Sequence, residues 1–453
     1  MQSRNPATAE IIAEYPEHSA AQIEERLQRA DGAFQQWRRV SIGGRASLFK
    51  GLAGVFRRRG EELAKLMTAE VGKTIVASES EVEKCAAACD FFAENAEAFL
   101  SPRTIESDAS SSYVRFDPLG PVLAIMPWNF PLWQVIRFAA PALMAGNVAV
   151  LKHAPNVPGC ALAIERAFAE AGFPAGAFSA LLISDNPAAQ RLVDNPILRA
   201  VTLTGSERAG AAVAAAAGGR LKKTVMELGG SDAFIVLADA DVEQAAAKAA
   251  EARCINNGQS CIAAKRFIVE TAVADRFEKA IVSAMAAMKV GDPMDRATQI
   301  GPLARLDLLD ALHGQVRTSI EQGAKLRLGG RRRSGKGFFY DPTVLTGVRP
   351  GMAAFDEETF GPVAAIIRAG DPENAVRLAN QSRYGLGASI WTRDADRAQL
   401  LAGEIESGCV FINGIVKSDP RLPFGGIKNS GWGRELSQFG IYEFVNIKTI
   451  WIK

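Results

Sequence analysis

Histidine is nearly missing from this chain: in 453 residues only His18, His153 and His313 occur. A multi-His metal centre or a Ser–His–Asp triad would use almost the whole supply, so zinc hydrolases and His-dependent proteases are poor readings and no metal is expected. Cysteine is sparse as well. Six residues (Cys85, Cys89, Cys160, Cys254, Cys261, Cys409) with no C-x-x-C remove disulfide scaffolds, zinc ribbons and thioredoxin-like motifs. Net charge is almost absent: 52 Lys+Arg stand against 50 Asp+Glu, which leaves no electrostatic footprint for nucleic acid or an anionic membrane. The uncharged stretch from Leu119 to Ile136 is broken by Pro121, Pro127, Asn129, Pro131 and Gln134, so no bilayer-spanning helix is expected. Near the N-terminus, Glu10 and Glu14 stand where a secretory signal would be basic and then apolar, and the expected location is the cytoplasm. A G-x-G-x-x-G fingerprint is lacking. Gly72-Lys73-Thr74 has the ending of a phosphate loop, but Met67 occupies the position of its upstream glycine.

What remains is a composition of globular type, 48% hydrophobic and 23% charged, in a length that suggests two to four domains. From about Ala20 to Leu100 apolar residues recur at helical spacing (Ile23, Leu27; Leu48, Leu52, Phe56; Leu63, Leu66, Met67). Ser110–Phe116 alternates like an exposed strand. Short apolar runs then follow at Val122–Met126, Val148–Leu151, Ala177–Ile183, Ala200–Leu203 and Thr224–Leu228, separated by helical segments that include the Ala-rich Ala211–Ala217. Apolar strands alternating with helices predict a parallel sheet covered on both faces. A second α/β unit begins after Gly229-Gly230, with strands at Ala233–Leu237, Phe267–Val269 and Val363–Ile367. The segment Phe444–Ile452 reads as a strand that pairs either with the one near Tyr113 or with a neighbouring subunit.

Three sites carry chemistry. Asn256-Asn257-Gly258-Gln259-Ser260-Cys261 is a polar loop ending in a cysteine, where backbone dipoles can activate a thiolate. With histidine so scarce its base must be another residue. Glu227 in Met226-Glu227-Leu228-Gly229-Gly230 ends an apolar strand, where burial would raise a carboxyl toward general-base values. Pro127-Trp128-Asn129-Phe130-Pro131 lies at the C-terminal end of the first core strand, where open α/β sheets bind ligands. Asn129 there either forms a turn or donates to a developing oxyanion. Thr204-Gly205-Ser206 opens a helix after a strand, and its N–H groups either meet a diphosphate or make an ordinary turn. The other five cysteines read as packed side chains, and His153 as packing.

Taken together and in order, these residues resemble the NAD(P)-dependent aldehyde dehydrogenase superfamily. The likeness runs from Asn5-Pro6-Ala7-Thr8 through Pro127–Pro131, Glu227–Gly230, Gly258–Cys261 and Glu358-Thr359-Phe360-Gly361-Pro362 to Pro423-Phe424-Gly425-Gly426. Within it, Met126–Gly159, Asn256–Glu270 and Phe411–Glu435 look like the short bacterial succinate-semialdehyde dehydrogenases. The resemblance implies an α/β fold with a Rossmann-like cofactor domain (1–101 and 119–229), an α/β catalytic domain (230–435) and small β oligomerisation strands (102–118 and 436–453). A homodimer or homotetramer is implied.

By motif position the resemblance implies that Cys261 attacks the aldehyde to form a thiohemiacetal. Asn129 and the Cys261 N–H hold its oxyanion, and Glu227 activates the water that resolves the thioester. Trp128, Lys152, Gly205, Ser206 and Leu228 would line the cofactor, and Glu358 would hold the nicotinamide ribose. Glu435 matches a carboxylate sometimes assigned to proton relay, or is a structural ion pair. Pro155 replaces both the Glu of many NAD-preferring relatives and the Ser of many NADP-preferring ones, which leaves NAD or NADP open. For a dicarboxylate semialdehyde, Arg137 and Ser418 are the candidates for the distal carboxylate, while Ile255 replaces an Arg of another relative and Arg253 lies out of register. Ala263 replaces a second cysteine found in some relatives, so Cys261 lacks that local disulfide partner. The alternatives are oxidation of another small aldehyde, a Cys-dependent acyl hydrolase or CoA-acylating enzyme, and a retained fold with a purely structural role.

Overall fold

The computed structural model describes residues 1–184 and 186–453. Four helices fill the region where helical spacing predicted them: α1 (Ala20–Trp37), α2 (Ile42–Arg58), α3 (Gly60–Val71) and α4 (Ile75–Leu100). A capping box opens α1, with the Ser19 hydroxyl accepting from the Gln22 N–H while the Gln22 side chain accepts from the Ser19 N–H. Gly72 ends α3 in the left-handed region at φ 79°, and Thr74 caps α4 by accepting from the Ala77 N–H. Between them Lys73 turns into the core, where it pairs with Glu81 of α4. The Gly72-Lys73-Thr74 tripeptide is therefore a helix–helix junction whose lysine is fully occupied, and it has no part in holding phosphate.

Strand β1 (Ser111–Pro118) leads into the first parallel sheet, built from β2 (Pro121–Met126), β3 (Val148–His153), β4 (Phe178–Leu181), β5 (Ala200–Thr204) and β6 (Lys223–Glu227). Helices α5 (Trp133–Met144), α6 (Pro158–Glu170), α7 (Asn186–Asp194) and α8 (Glu207–Gly219) cross over between these strands. All twelve residues of α5 are buried, because it is sandwiched between the sheet and α4. One charged residue, Arg137, goes inside with it.

The second unit holds β7 (Ala233–Val236), β8 (Arg266–Glu270), β9 (Lys325–Leu328), β10 (Thr343–Thr346), β11 (Val363–Ala369), β12 (Gly387–Trp391) and β13 (Cys409–Ile412). They form one sheet in the order β9-β10-β11-β8-β7-β12-β13, with only β9 antiparallel to its neighbour. The helices α9 (Val242–Cys254) and α10 (Thr271–Ala286) pack against each other beside it. Sequence patterning shows only three of these strands. The other four are short, and polar ends or flanking glycines hide Thr343–Thr346 and Gly387–Trp391 among turn signals.

Near the end of the chain β14 (Gly431–Trp432) returns to the first sheet and pairs antiparallel with β6, giving the order β14-β6-β5-β2-β3-β4. Finally β15 (Val445–Ile452) pairs antiparallel with β1 over eight residues, with Ile450 opposite Tyr113, so its partner is the early strand of the same chain. Among the described residues no helix is long and apolar enough to cross a membrane.

Strand order fixes where a ligand belongs. From β2 the chain moves outward through β3 and β4, then returns to the other side of β2 with β5 and β6. The connections leaving β2 and β5 therefore diverge, which opens a crevice beyond their C-terminal ends.

Candidate active site

Cys261 sits on a loop fixed by unusual backbone. Asn256, Asn257 and Gly258 follow one another in the left-handed region at φ 51°, 60° and 77°. Asn and Gly accept this region at the least cost, which is why the loop is composed of them. A Cβ on Gly258 would fall 2.3 Å from the carbonyl carbon of Gly361, so the loop lies flat against that segment. Side chains then pin it from both ends. Arg253 Nη2 donates to the Gly258 carbonyl at 2.6 Å, and Asn257 Nδ2 donates to the carbonyls of Gly72 and Pro302 at 2.9 and 3.0 Å. Lys265 Nζ donates to the carbonyls of Ser260, Cys261 and Ala263 at 3.0, 2.8 and 3.1 Å. Sequence reasoning names Arg253 only as a substrate arginine out of register and does not distinguish Lys265. The available signal was a full charge placed directly before or after an apolar segment that must be buried.

Asn129 meets this loop from the first unit. Its Nδ2 donates to the Gln259 carbonyl at 3.1 Å, and its own carbonyl accepts from Asn256 Nδ2 at 2.6 Å. One amide hydrogen of Asn129 is thus spent and the other is left for an oxyanion beside Cys261. His153 holds the Asn129 loop in place. Its Nδ1 lies 2.9 Å from the Ala154 N–H and 3.2 Å from the Met126 carbonyl, and its Nε2 lies 2.9 Å from the Pro131 carbonyl. Burial pushes this imidazole down to about 4, so it is a neutral strut, in keeping with its reading as packing.

Cys261 is half-buried, and burial pushes its thiol up to about 12, with Arg137 and Lys265 acting in the opposite direction. Desolvation thus works against the loop-activated thiolate expected from the sequence, and it outweighs the nearby positive charges. Alkylation of Cys261 by iodoacetamide, read by peptide mass, should therefore rise about tenfold per pH unit from pH 7 to pH 10 without a plateau. A plateau near pH 7 would show a preformed thiolate. Of the remaining cysteines, Cys85, Cys89, Cys160 and Cys254 are buried as expected, whereas Cys409 is half-buried.

Behind the thiol lies a buried charge cluster. Glu227 ends β6, and its Oε1 has no hydrogen-bond partner. Burial raises its carboxyl well above the usual range and Glu435 adds to this, while Arg137, with Nη2 3.8 Å from Oε2, opposes it. Arg137 also forms an ion pair through Nε with Glu435 and lies over the Phe424 ring. Glu435 is thus a buried ion-pair partner of Arg137. The single charge of α5's only cation is answered from within the protein by two carboxyls.

A cavity of about 380 Å³ opens at the diverging ends of β2 and β5 and is lined by Trp128, Asn129, Gly205, Ser206, Leu228, Cys261 and Glu358. It fits the nicotinamide end of a dinucleotide on several counts. Ser206 caps α8, its hydroxyl accepting from the Ala209 N–H, so the first N–H groups of that helix face the crevice. A Cβ on Gly205 would meet nothing closer than Leu203 Cδ2 at 3.5 Å, which leaves room for close approach. Thr204 Oγ1 is buried there without a partner. Glu358 reaches across from the second unit: its Oε1 accepts from the Gly230 N–H at 3.0 Å and lies 3.6 Å from Lys265 Nζ.

Lys152 and exposed Pro155 stand outside this lining, at and just past the end of neighbouring β3. Ser418 is outside it as well, its hydroxyl accepting from Lys84 Nζ at 2.8 Å and from Trp133 Nε1 at 3.1 Å. Among the described residues no group of three or more His, Cys, Asp or Glu could hold a metal ion.

Comparison with known proteins agrees with this geometry. The chain matches the aldehyde dehydrogenase family over residues 1–450. It is 49% identical over 449 residues to an Escherichia coli protein named as an NAD(P)+ succinate semialdehyde dehydrogenase, covering 99% of this chain and 97% of the other. A Mycobacterium bovis protein named as an NADP(+) succinate-semialdehyde dehydrogenase is 47% identical over 451 residues, covering 99% and 98% of the two chains. Among solved structures, succinic semialdehyde dehydrogenase from Streptococcus pyogenes in complex with NADP+ superposes with a TM-score of 0.97 at 37% identity, covering 100% of this chain and 99% of that one.

Proposed function

The chain belongs to the aldehyde dehydrogenase family, and from that premise we propose that it oxidises succinate semialdehyde to succinate with NAD+ or NADP+ through a thioester on Cys261. The observation that carries the reading is the placement of Cys261 and the free amide hydrogen of Asn129 on the wall of a cavity at the sheet's switch point. The names of the relatives give the substrate.

Trp128, Gly205, Ser206, Leu228 and Glu358 are the residues to hold the nicotinamide end of the cofactor, and Lys152 with Pro155 would flank its far end. When bound, the nicotinamide supplies the acceptor that carries away the two electrons of the oxidation as hydride. The protein's own groups do the rest. Cys261 Sγ adds to the aldehyde carbon as its thiol proton leaves to a base, for which the unpartnered Oε1 of buried Glu227 is suited. Asn129 Nδ2 and the Cys261 N–H stabilise the oxyanion. Loss of hydride leaves the thioester. Glu227 first releases to solvent the proton it took from the thiol, then takes a proton from water, which attacks the acyl carbon, and passes that proton to the departing Cys261 thiolate. The sum is aldehyde, water and NAD(P)+ giving acid, NAD(P)H and a proton.

Self-association fits the β1–β15 ladder, whose outer strand presents Ile447, Trp451 and Ile452 at an unpaired edge. Six cysteines without a disulfide suit the reducing cytoplasm.

Initial rates of nicotinamide reduction with succinate semialdehyde and with butanal, each with NAD+ and NADP+, test the substrate. The expected result is a kcat/KM at least about tenfold higher for the semialdehyde, since a matched charge–carboxylate contact is worth 1.5–3 kcal/mol. Turnover confined to uncharged aldehydes would overturn it.

A further inference from the structure

A second cavity, of about 900 Å³, lies on the other side of the Asn129 loop. The two cavities lie on opposite sides of the same two loops. Asn129 and Gln134 face the one that holds Cys261, whereas Phe130 and Trp133 face the larger one. The nucleophile loop is divided in the same way, with Cys261 on one side and Asn256 and Asn257 on the other. An aldehyde reaching Cys261 from the side away from the cofactor would extend its tail into the larger cavity.

Lys84 of α4 lines that cavity half-buried. Its Nζ donates to Ser418 Oγ at 2.8 Å and lies 4.2 Å from the centre of the Trp133 ring. No carboxylate pairs with it among the described residues. The nearest acid on α4, Glu81, is committed to Lys73 and to the N–H groups of Leu132 and Trp133, both at 2.9 Å. Arg137, which brings a second positive charge nearby, is itself answered by Glu227 and Glu435. Lys84 is therefore a partly desolvated cation with no carboxylate paired to it among the described residues. Ser418 Oγ accepts from both Lys84 and Trp133 Nε1, which leaves its own hydrogen to donate.

We infer that Lys84, with the Ser418 hydroxyl, binds the distal carboxylate of the semialdehyde and so sets the enzyme's preference for acidic over uncharged aldehydes. The inference rests on the substrate reading above and moves the main carboxylate contact from Arg137 to Lys84. An ammonium and a hydroxyl converging on one point match two carboxylate oxygens. Burial, reinforced by Arg137, pushes Lys84 down to about 8, with Lys73 acting in the same sense and Cys85 and Glu81 opposing. The charge that binds the carboxylate therefore titrates within reach of assay.

The test compares kcat and KM for succinate semialdehyde and butanal in wild type and in Lys84→Met. The expected result is a semialdehyde kcat/KM lowered about 10- to 100-fold, mainly through KM, with butanal changed less than about threefold. In wild type, the semialdehyde-to-butanal ratio of kcat/KM should fall as pH rises from 7 to 9.5, because kcat/KM reports the free enzyme's groups and those of Cys261 and Glu227 cancel in the ratio. An unchanged preference in Lys84→Met, or a flat wild-type ratio, would overturn the inference. If Lys84→Met also loses butanal turnover, the wild-type pH ratio decides alone. Absence of any preference in wild type would instead overturn the substrate reading.

Discussion

Cys261→Ala should lose aldehyde oxidation by at least about four orders of magnitude, because removal of a covalent nucleophile takes away the whole reaction path. The fold should survive. The loop is shaped by Asn256, Asn257 and Gly258 and pinned by Arg253 and Lys265, none of which uses the thiol side chain. A Tm within about 3 °C of wild type is expected for the loss of one half-buried sulfur. Residual turnover above about one part in a thousand would point to Cys409 or to a thiol-independent route, and would remove the thioester from the mechanism.

Glu227→Gln should lower kcat by about 10²- to 10⁴-fold, the usual worth of a positioned general base. The time course separates its two roles. If Glu227 acts mainly in deacylation, rapid mixing shows a burst of one reduced cofactor per active site, then near silence, and intact mass reveals Cys261 carrying one succinyl group. If it also takes the thiol proton, the burst itself slows. Linear slow turnover with no acyl-enzyme would mean that hydrolysis has another base. Stability should respond as well. The folded carboxyl keeps its proton to higher pH than the unfolded one, so folding takes up a proton in that window and stability falls as pH rises through it. The glutamine variant lacks this slope and should gain stability relative to wild type more at pH 8 than at pH 5.

Local features were the legible ones. Strands of the first sheet announce themselves as apolar runs between helices, and the Asn-Gly-rich loop before Cys261 carries its own backbone signal. Glu227 could be read because a carboxylate at the end of an apolar strand has few reasons to be there. What escaped is held by contacts distant in sequence. That Arg137 joins Glu227 to Glu435 depends on three segments brought together only by folding, and no spacing encodes it. Lys265 and Lys84 look like ordinary surface lysines until the first is found under three carbonyls and the second in a cavity where, among the described residues, no acid pairs with it. Thr343–Thr346 and Gly387–Trp391 become strands because neighbours on both sides supply ladder partners, a tertiary effect that overrides weak local preference.

The closing strand β14 also has a consequence for how the enzyme comes into being. Gly431 pairs with Glu227 itself, Trp432 with Met226, and the Ser430 carbonyl accepts from the Leu228 N–H at 3.0 Å. A ribosome adding roughly 5–20 residues per second releases the strand bearing the base some ten to forty seconds before the segment that clasps it. For most of that interval, once residue 261 has been added, the nascent chain holds its nucleophile and its oxyanion donor, yet the edge beside Glu227 stays open to water. Catalytic competence would then arrive late in translation, and a transcript cut short before codon 431 would yield a protein with every catalytic side chain and no finished site.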